Sequence, residues 1–212
     1  MIKTKRKNDM RAEQELGAFL DKYLYERLKV PYERANDIER QLKGIDVVLG
    51  ANARELKIDE KAALGYINVP IKTFAFEISF INAAGKLHQG WLFNDDLETE
   101  YYMLVYPNAT TEDTATITAE DFNNVECLFV NKQTILDYIG LGNKEWILAM
   151  DTWLRNMEHN GKFEEEGFYD FKFFVSQYLK EKPINILISK NKLMKMATNI
   201  YIVNKNKLNR VK

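Results

Sequence analysis

The chain is poor in the residues that build disulfides and zinc sites: one cysteine and two histidines in 212 residues. Cys127 therefore has no internal disulfide partner, which agrees with a reducing, cytoplasmic setting, and its thiol is expected in the core. His88 and His159 lie far apart without metal-spaced neighbours, and both are expected at the surface. Long apolar runs are also missing. None approaches the roughly 18 residues of a membrane span, and the basic start MIKTKRKNDM has no apolar stretch behind it, so neither a span nor a secretory signal is expected. The glycine motifs G-x-x-x-x-G-K-[ST], G-x-G-x-x-G and G-x-S-x-G are absent, which gives no support to nucleotide-driven motors, dinucleotide enzymes or α/β-hydrolases.

A hydrophobic content of 46% over this length suffices for one good core, so one domain spanning 1–212 is expected. The net charge of −1 hides an asymmetry. Residues 1–8 carry Lys3, Lys5, Arg6 and Lys7, and residues 182–212 carry eight more cations, with no acid in either segment. The middle of the chain is correspondingly acidic. Basic ends suit a polyanion, because neutralising phosphates releases counterions.

Apolar residues at Leu16, Phe19, Leu20, Tyr23 and Leu24 predict a helix over 9–29, ended by Pro31. Glu13 projects onto its apolar stripe between Leu20 and Leu24, and Glu15 lies at the edge. The segments IDVVL, ELKIDEKAAL, TFAFEISF, HQGWLF and EYYMLVY predict a meander of about five largely antiparallel strands, with VECLFV as a further strand. NKQTILDYIGLG and NKEWILAMDTWLRNMEH read as helices. YDFKFFVSQYL and INILIS then read as strands, KNKLMKMA as a short helix and NIYIV as a last strand. The fold class is therefore α+β or mixed α/β, with a central mixed, largely antiparallel sheet flanked by helices. The aromatics Trp91, Tyr101, Tyr102 and Phe168 to Phe174 are expected in the core.

The chemistry concentrates in residues 43–65. Alternation along LKIDEKA puts Asp59 and Lys61 on one face and Ile58 and Glu60 on the other. A hairpin centred between Asn52 and Ala53 pairs Asp46 directly with Asp59, whose Cβ atoms would then lie about 5 Å apart. Two facing carboxylates repel unless something compensates. Mg²⁺ or Mn²⁺ does so, since such ions take one or two carboxylates and fill the shell with water and phosphate oxygens. Lys61 would stand beside the attacking water and offset charge in an anionic transition state. Glu77 interrupts the strand TFAFEISF on its small, polar face, where it is a further candidate ligand or a partner for Lys61. Tyr66 and Asn68 are placed beside the same cleft.

GIDVVL followed about a dozen residues later by IDEKA resembles the PD-(D/E)xK, or restriction-endonuclease-like, nuclease superfamily. The resemblance implies that Asp46 is the first acid, Asp59 the second and Lys61 the motif lysine, with Glu13, or failing it Glu15, as the additional acid from the first helix. It also implies a metal-dependent hydrolase cleaving DNA, with Mg²⁺ or Mn²⁺ as cofactor and a nuclease-like core over about 10–130. Residues from about 131 to 212 would be a helical and mixed extension with a basic tail. DIERQLKGIDVVL leads into the site, which places Glu39 and Gln41 nearby. Ile45 stands where this pattern often has proline, and Asp59 where glutamate is commoner. The alternatives are a non-catalytic nucleic-acid-binding module on the same fold and, from another class, a carboxylate-pair glycosidase, in which Lys61 has no task. DNA is the expected partner, no membrane is expected, and the oligomeric state stays open, a homodimer included.

Overall fold

The first helix, α1 (Ile2–Leu20), opens into a π turn over Asp21–Tyr25 and closes through the short α2 (Glu26–Leu28). The structure is a computed structural model that describes residues 2–50, 54–140, 144–164 and 171–212, with side chains from residue 8 onward. Ala12, Leu16, Phe19, Leu20 and Leu24 are buried, as the helical spacing requires, and they lay α1 across one face of a sheet.

That sheet has seven strands in the order β1-β2-β3-β6-β7-β11-β12. They are β1 (Tyr32–Arg34), β2 (Val47–Leu49), β3 (Leu56–Ala62), β6 (Tyr101–Tyr106), β7 (Val125–Asn131), β11 (Asn199–Val203) and β12 (Leu208–Arg210). All neighbours are antiparallel except β3 and β6, which run parallel. A second, antiparallel sheet has the order β5-β4-β10-β9-β8, from β4 (Thr73–Ile81), β5 (Leu87–Gln89), β8 (Gly161–Phe163), β9 (Phe171–Val175) and β10 (Ile184–Ser189).

The expected meander is thus corrected. A parallel β3–β6 pair needs a long crossover, and the chain fills it with β4 and β5, which leave for the second sheet. HQGWLF is strand only at its start, since the chain turns at Trp91–Phe93. NIYIV is followed by β12, and β1 is an additional strand that sequence patterning did not indicate. Helices α3 (Ile38–Leu42), α4 (Lys132–Ile139), α5 (Lys144–Asn156) and α6 (Lys190–Met196) complete the chain. The two halves of the sequence interleave, because β10 pairs with β4 and β11 with β7.

Period-two alternation sorts the large sheet into two cores. Met103, Val105, Cys127 and Phe129 face α1, together with Ile58 and Val47. Tyr102, Leu104, Leu128 and Val130 face the other way, into the core shared with Phe74, Phe76, Ile78, Ile186 and Phe173 of the second sheet. Cys127 is buried, and burial pushes its thiol well above the ordinary range. Tyr102, Phe171 and Phe173 are buried, whereas Phe168 lies outside the described residues.

Candidate active site

The β2–β3 hairpin adopts the expected register: Val47 faces Ile58, Val48 faces Lys57 and Leu49 faces Leu56. The turn centre itself lies outside the described residues. Gly50 opens the turn with φ +113°, where a Cβ would stand 2.2 Å from the Arg54 carbonyl oxygen, so the reversal needs glycine. Asp46 sits one residue before β2, and its amide donates to the Ile58 carbonyl at 2.8 Å. Its carboxylate oxygen Oδ2 accepts the Glu60 amide at 2.8 Å. This backbone anchor holds Asp46 beside β3.

Asp59 lies on the opposite face of β3 from Ile58 and Glu60, next to Tyr102 of β6, and is only 2% exposed. Its Oδ1 is 2.8 Å from the Lys61 ammonium. Its Oδ2 is buried and receives no donor. Asp21 Oδ1 and the Tyr106 hydroxyl share that condition; Asp59 is the one whose neighbour is the Asp46 carboxylate. Burial pushes Asp59 up to about 7, with the Lys61 charge opposing the shift and the neighbouring Asp46 carboxylate adding to it. Lys61 shows the converse. Burial disfavours its charge, yet Asp59, then Asp46 and Glu13, hold it above the ordinary lysine value, so it stays cationic.

Glu13 is exposed on α1 at the rim. Partial desolvation raises its carboxyl, Lys61 opposes this, and Asp46 and Asp9 add to it. Glu15 points elsewhere, accepting the Ala119 amide at 2.9 Å. Between α1 and the sheet lies a cavity of about 520 Å³ walled by Glu13, Gln14, Arg34, Gln41, Asp46 and Glu60. Asp59 and Lys61 do not line it; they approach Asp46 from behind β3. Gln41 also donates to the Ala35 carbonyl at 3.2 Å, whereas Glu39 is exposed and pairs with Lys43.

Other expected neighbours stand apart. Glu77 belongs to β4 in the second sheet, and its charge senses Lys61 but neither aspartate. Desolvation first, then Glu181, pushes it up to about 7 against Lys61 and Arg155. The four-carboxylate ligand set is therefore not assembled. Among the described residues no three His, Cys, Asp or Glu side chains stand close enough to hold a metal ion. Asn68 ties its loop to the segment after β6, exchanging hydrogen bonds of 2.9 Å with the Ala109 backbone, and Tyr66 is exposed beside it. His88 contacts Asn82 and Phe80, and His159 contacts Lys162 and Phe163, all away from the acid pair.

Sequence patterning missed what holds β3 from beneath. Arg34 binds Asp21 Oδ2 at 2.7 Å and Glu60 Oε2 at 2.8 Å, and the Tyr25 hydroxyl donates to Glu60 Oε1 at 2.7 Å. The π turn carries both Asp21 and Tyr25 to this cluster. The available signal was Glu60 itself, a carboxylate on the core-facing side of β3. The lysine-rich C-terminus is partly engaged locally: Lys190 pairs with Glu126, Lys205 with Glu120 at 3.1 Å, and Lys212 donates to the Met194 and Lys195 carbonyls.

The fold and site define a mixed α+β protein in which a buried aspartate, Asp59, meets a half-buried one, Asp46, and a lysine, Lys61, on one sheet. The chain matches no protein-family model, no curated protein and no solved structure.

Proposed function

We propose that the chain is a divalent-cation-dependent nuclease hydrolysing DNA phosphodiester bonds, with Asp46, Asp59 and Lys61 at its centre. The observation that carries this is the buried, donor-free Oδ2 of Asp59 facing a second carboxylate, with Lys61 at 2.8 Å from Oδ1. A carboxylate pair of this kind calls for a shared proton or a cation. Two hard oxygen ligands fit Mg²⁺ or Mn²⁺, which keep water and phosphate oxygens in the rest of their shell. Asp46 and Asp59 would hold the ion, with Glu13 at the rim of the cleft. The antiparallel β1–β2–β3 unit, the parallel β6 and α1 across one face support a restriction-endonuclease-like core.

An ion held by Asp46 and Asp59 would supply Lewis acidity toward a phosphoryl oxygen and water. Lys61 stays charged, so it acts as a fixed cation that orients water and offsets charge as it develops on the phosphorane. The attacking water gives up a proton as its oxygen bonds to phosphorus, one P–O ester bond breaks, and the leaving oxygen takes up a proton from solvent. Purified protein should cleave DNA only with Mg²⁺ or Mn²⁺. Asp59→Ala and Lys61→Ala should each lower the rate by about a hundredfold or more while keeping the far-UV dichroism. Cleavage that survives both substitutions overturns the assignment.

A second reading, a non-catalytic nucleic-acid-binding module, is favoured by the depth of Asp59 and by a cavity that does not reach it. It predicts salt-sensitive DNA binding without cleavage and no thermal shift with Mn²⁺.

A further inference from the structure

The Lys61 ammonium has one ion pair among the described residues, to Asp59, and a second neighbour of another kind: the Trp91 ring, whose centre is 5.2 Å from Nζ. Trp91 is not loosely placed. Its ring meets Tyr102 edge-on at 4.9 Å and Phe76 at 5.3 Å, and the Tyr102 hydroxyl donates to its carbonyl at 3.3 Å. Gly90 brings it there. The Gly90 amide donates to the Ile78 carbonyl at 2.9 Å and the Leu92 amide to the Glu77 carbonyl at 3.1 Å. A Cβ on residue 90 would lie 2.4 Å from the Glu77 carbonyl oxygen, so only glycine lets the chain turn this tightly onto β4.

We propose that Trp91 is a positioning residue for Lys61: its indole face holds the ammonium beside the Asp46–Asp59 pair and leaves its remaining N–H bonds for a water or phosphate oxygen. The proposal rests on the nuclease reading of these residues. The physical reason lies in what an aromatic face offers. Glu77 lies on that side and its charge reaches Lys61, but among the described residues the ammonium pairs with Asp59 and not with Glu77, so no acceptor there draws it from the acid pair. The ring quadrupole attracts the cation and excludes water while taking no hydrogen bond in competition. Trp91, which its sequence context assigns only to packing, thereby sets where the charge of Lys61 is delivered.

The test uses the full chain carrying Trp146→Phe and Trp153→Phe, which leaves Trp91 as its single indole. In the absence of DNA and divalent ions, adding Lys61→Met should change the Trp91 emission maximum or intensity, because the cation leaves the ring. Unchanged emission overturns the contact. In cleavage assays of the otherwise native chain, Trp91→Leu should lower kcat about tenfold with KM for DNA held within about twofold, while Trp91→Phe keeps kcat within about threefold. Equal kcat for the Leu and Phe variants overturns the positioning role. If the native protein does not cleave DNA at all, the nuclease reading fails, and the emission change alone still decides whether Trp91 holds Lys61.

Discussion

At the scale of single residues the account turns on Asp59, a carboxylate carried into the interior with half of its hydrogen-bonding capacity unused. Its carboxyl titrates near 7 in the folded chain, against 3.8 for an ordinary aspartate. A raised folded value means that the native state holds a proton that the unfolded state releases, so this group loses stability as pH rises from about 4 through about 7. Glu77, also raised to about 7, acts with the same sign. Asp59→Asn removes one of these penalties. Urea denaturation should therefore show the variant gaining on the native chain between pH 5 and pH 8, by at most about 3 kcal/mol at 1.36 kcal/mol per pKa unit. A parallel pH dependence in both proteins would show that Asp59 is already ionised. Binding a divalent ion requires the ionised pair, so Mn²⁺ affinity should rise through the same pH window and protons should be released on binding.

At the scale of elements, the β2–β3 hairpin is where sequence and structure agree most closely. Period-two alternation gives the faces of the two strands, whereas the turn centre between Asn52 and Ala53 is an assumption; the observed register agrees with it, and a one-residue slip would turn Val47 and Ile58 out of the core. Glu13 was legible as an anomaly on α1, but its spacing could not tell a buried ligand from the exposed rim position it occupies. The Arg34–Glu60–Asp21 cluster was not legible at all, since it joins three elements through a π turn that helical periodicity does not encode. Arg34→Met leaves Glu60 and Asp21 without their cation and should destabilise the fold by about 3 kcal/mol, measured by urea denaturation. Loss of less than about 1 kcal/mol would place that pair in effective contact with solvent. Gly50→Ala forces a side chain into a positive-φ turn, and a cost of about 1 to 3 kcal/mol is expected.

At the scale of the molecule, the α+β class was readable from the order of elements, whereas the division into two sheets was not. β4 alternates in the same way as a strand of the central sheet, and nothing local reveals that its partner is β10, about a hundred residues later. This interleaving has a consequence for truncation. A fragment of residues 1–130 lacks β10 beside β4 and β11 beside β7, so it should be unfolded or aggregated by circular dichroism and gel filtration, while the full chain unfolds in one transition. A soluble, cooperatively folding 1–130 fragment would show that the first half carries its own core. The central claim, that Asp46 and Asp59 form a cation site, is tested most directly by isothermal titration of the full chain with Mn²⁺ at pH 8. The account predicts a binding event that is abolished by Asp59→Asn, and a silent titration of the native chain, or one unchanged in the variant, would contradict it.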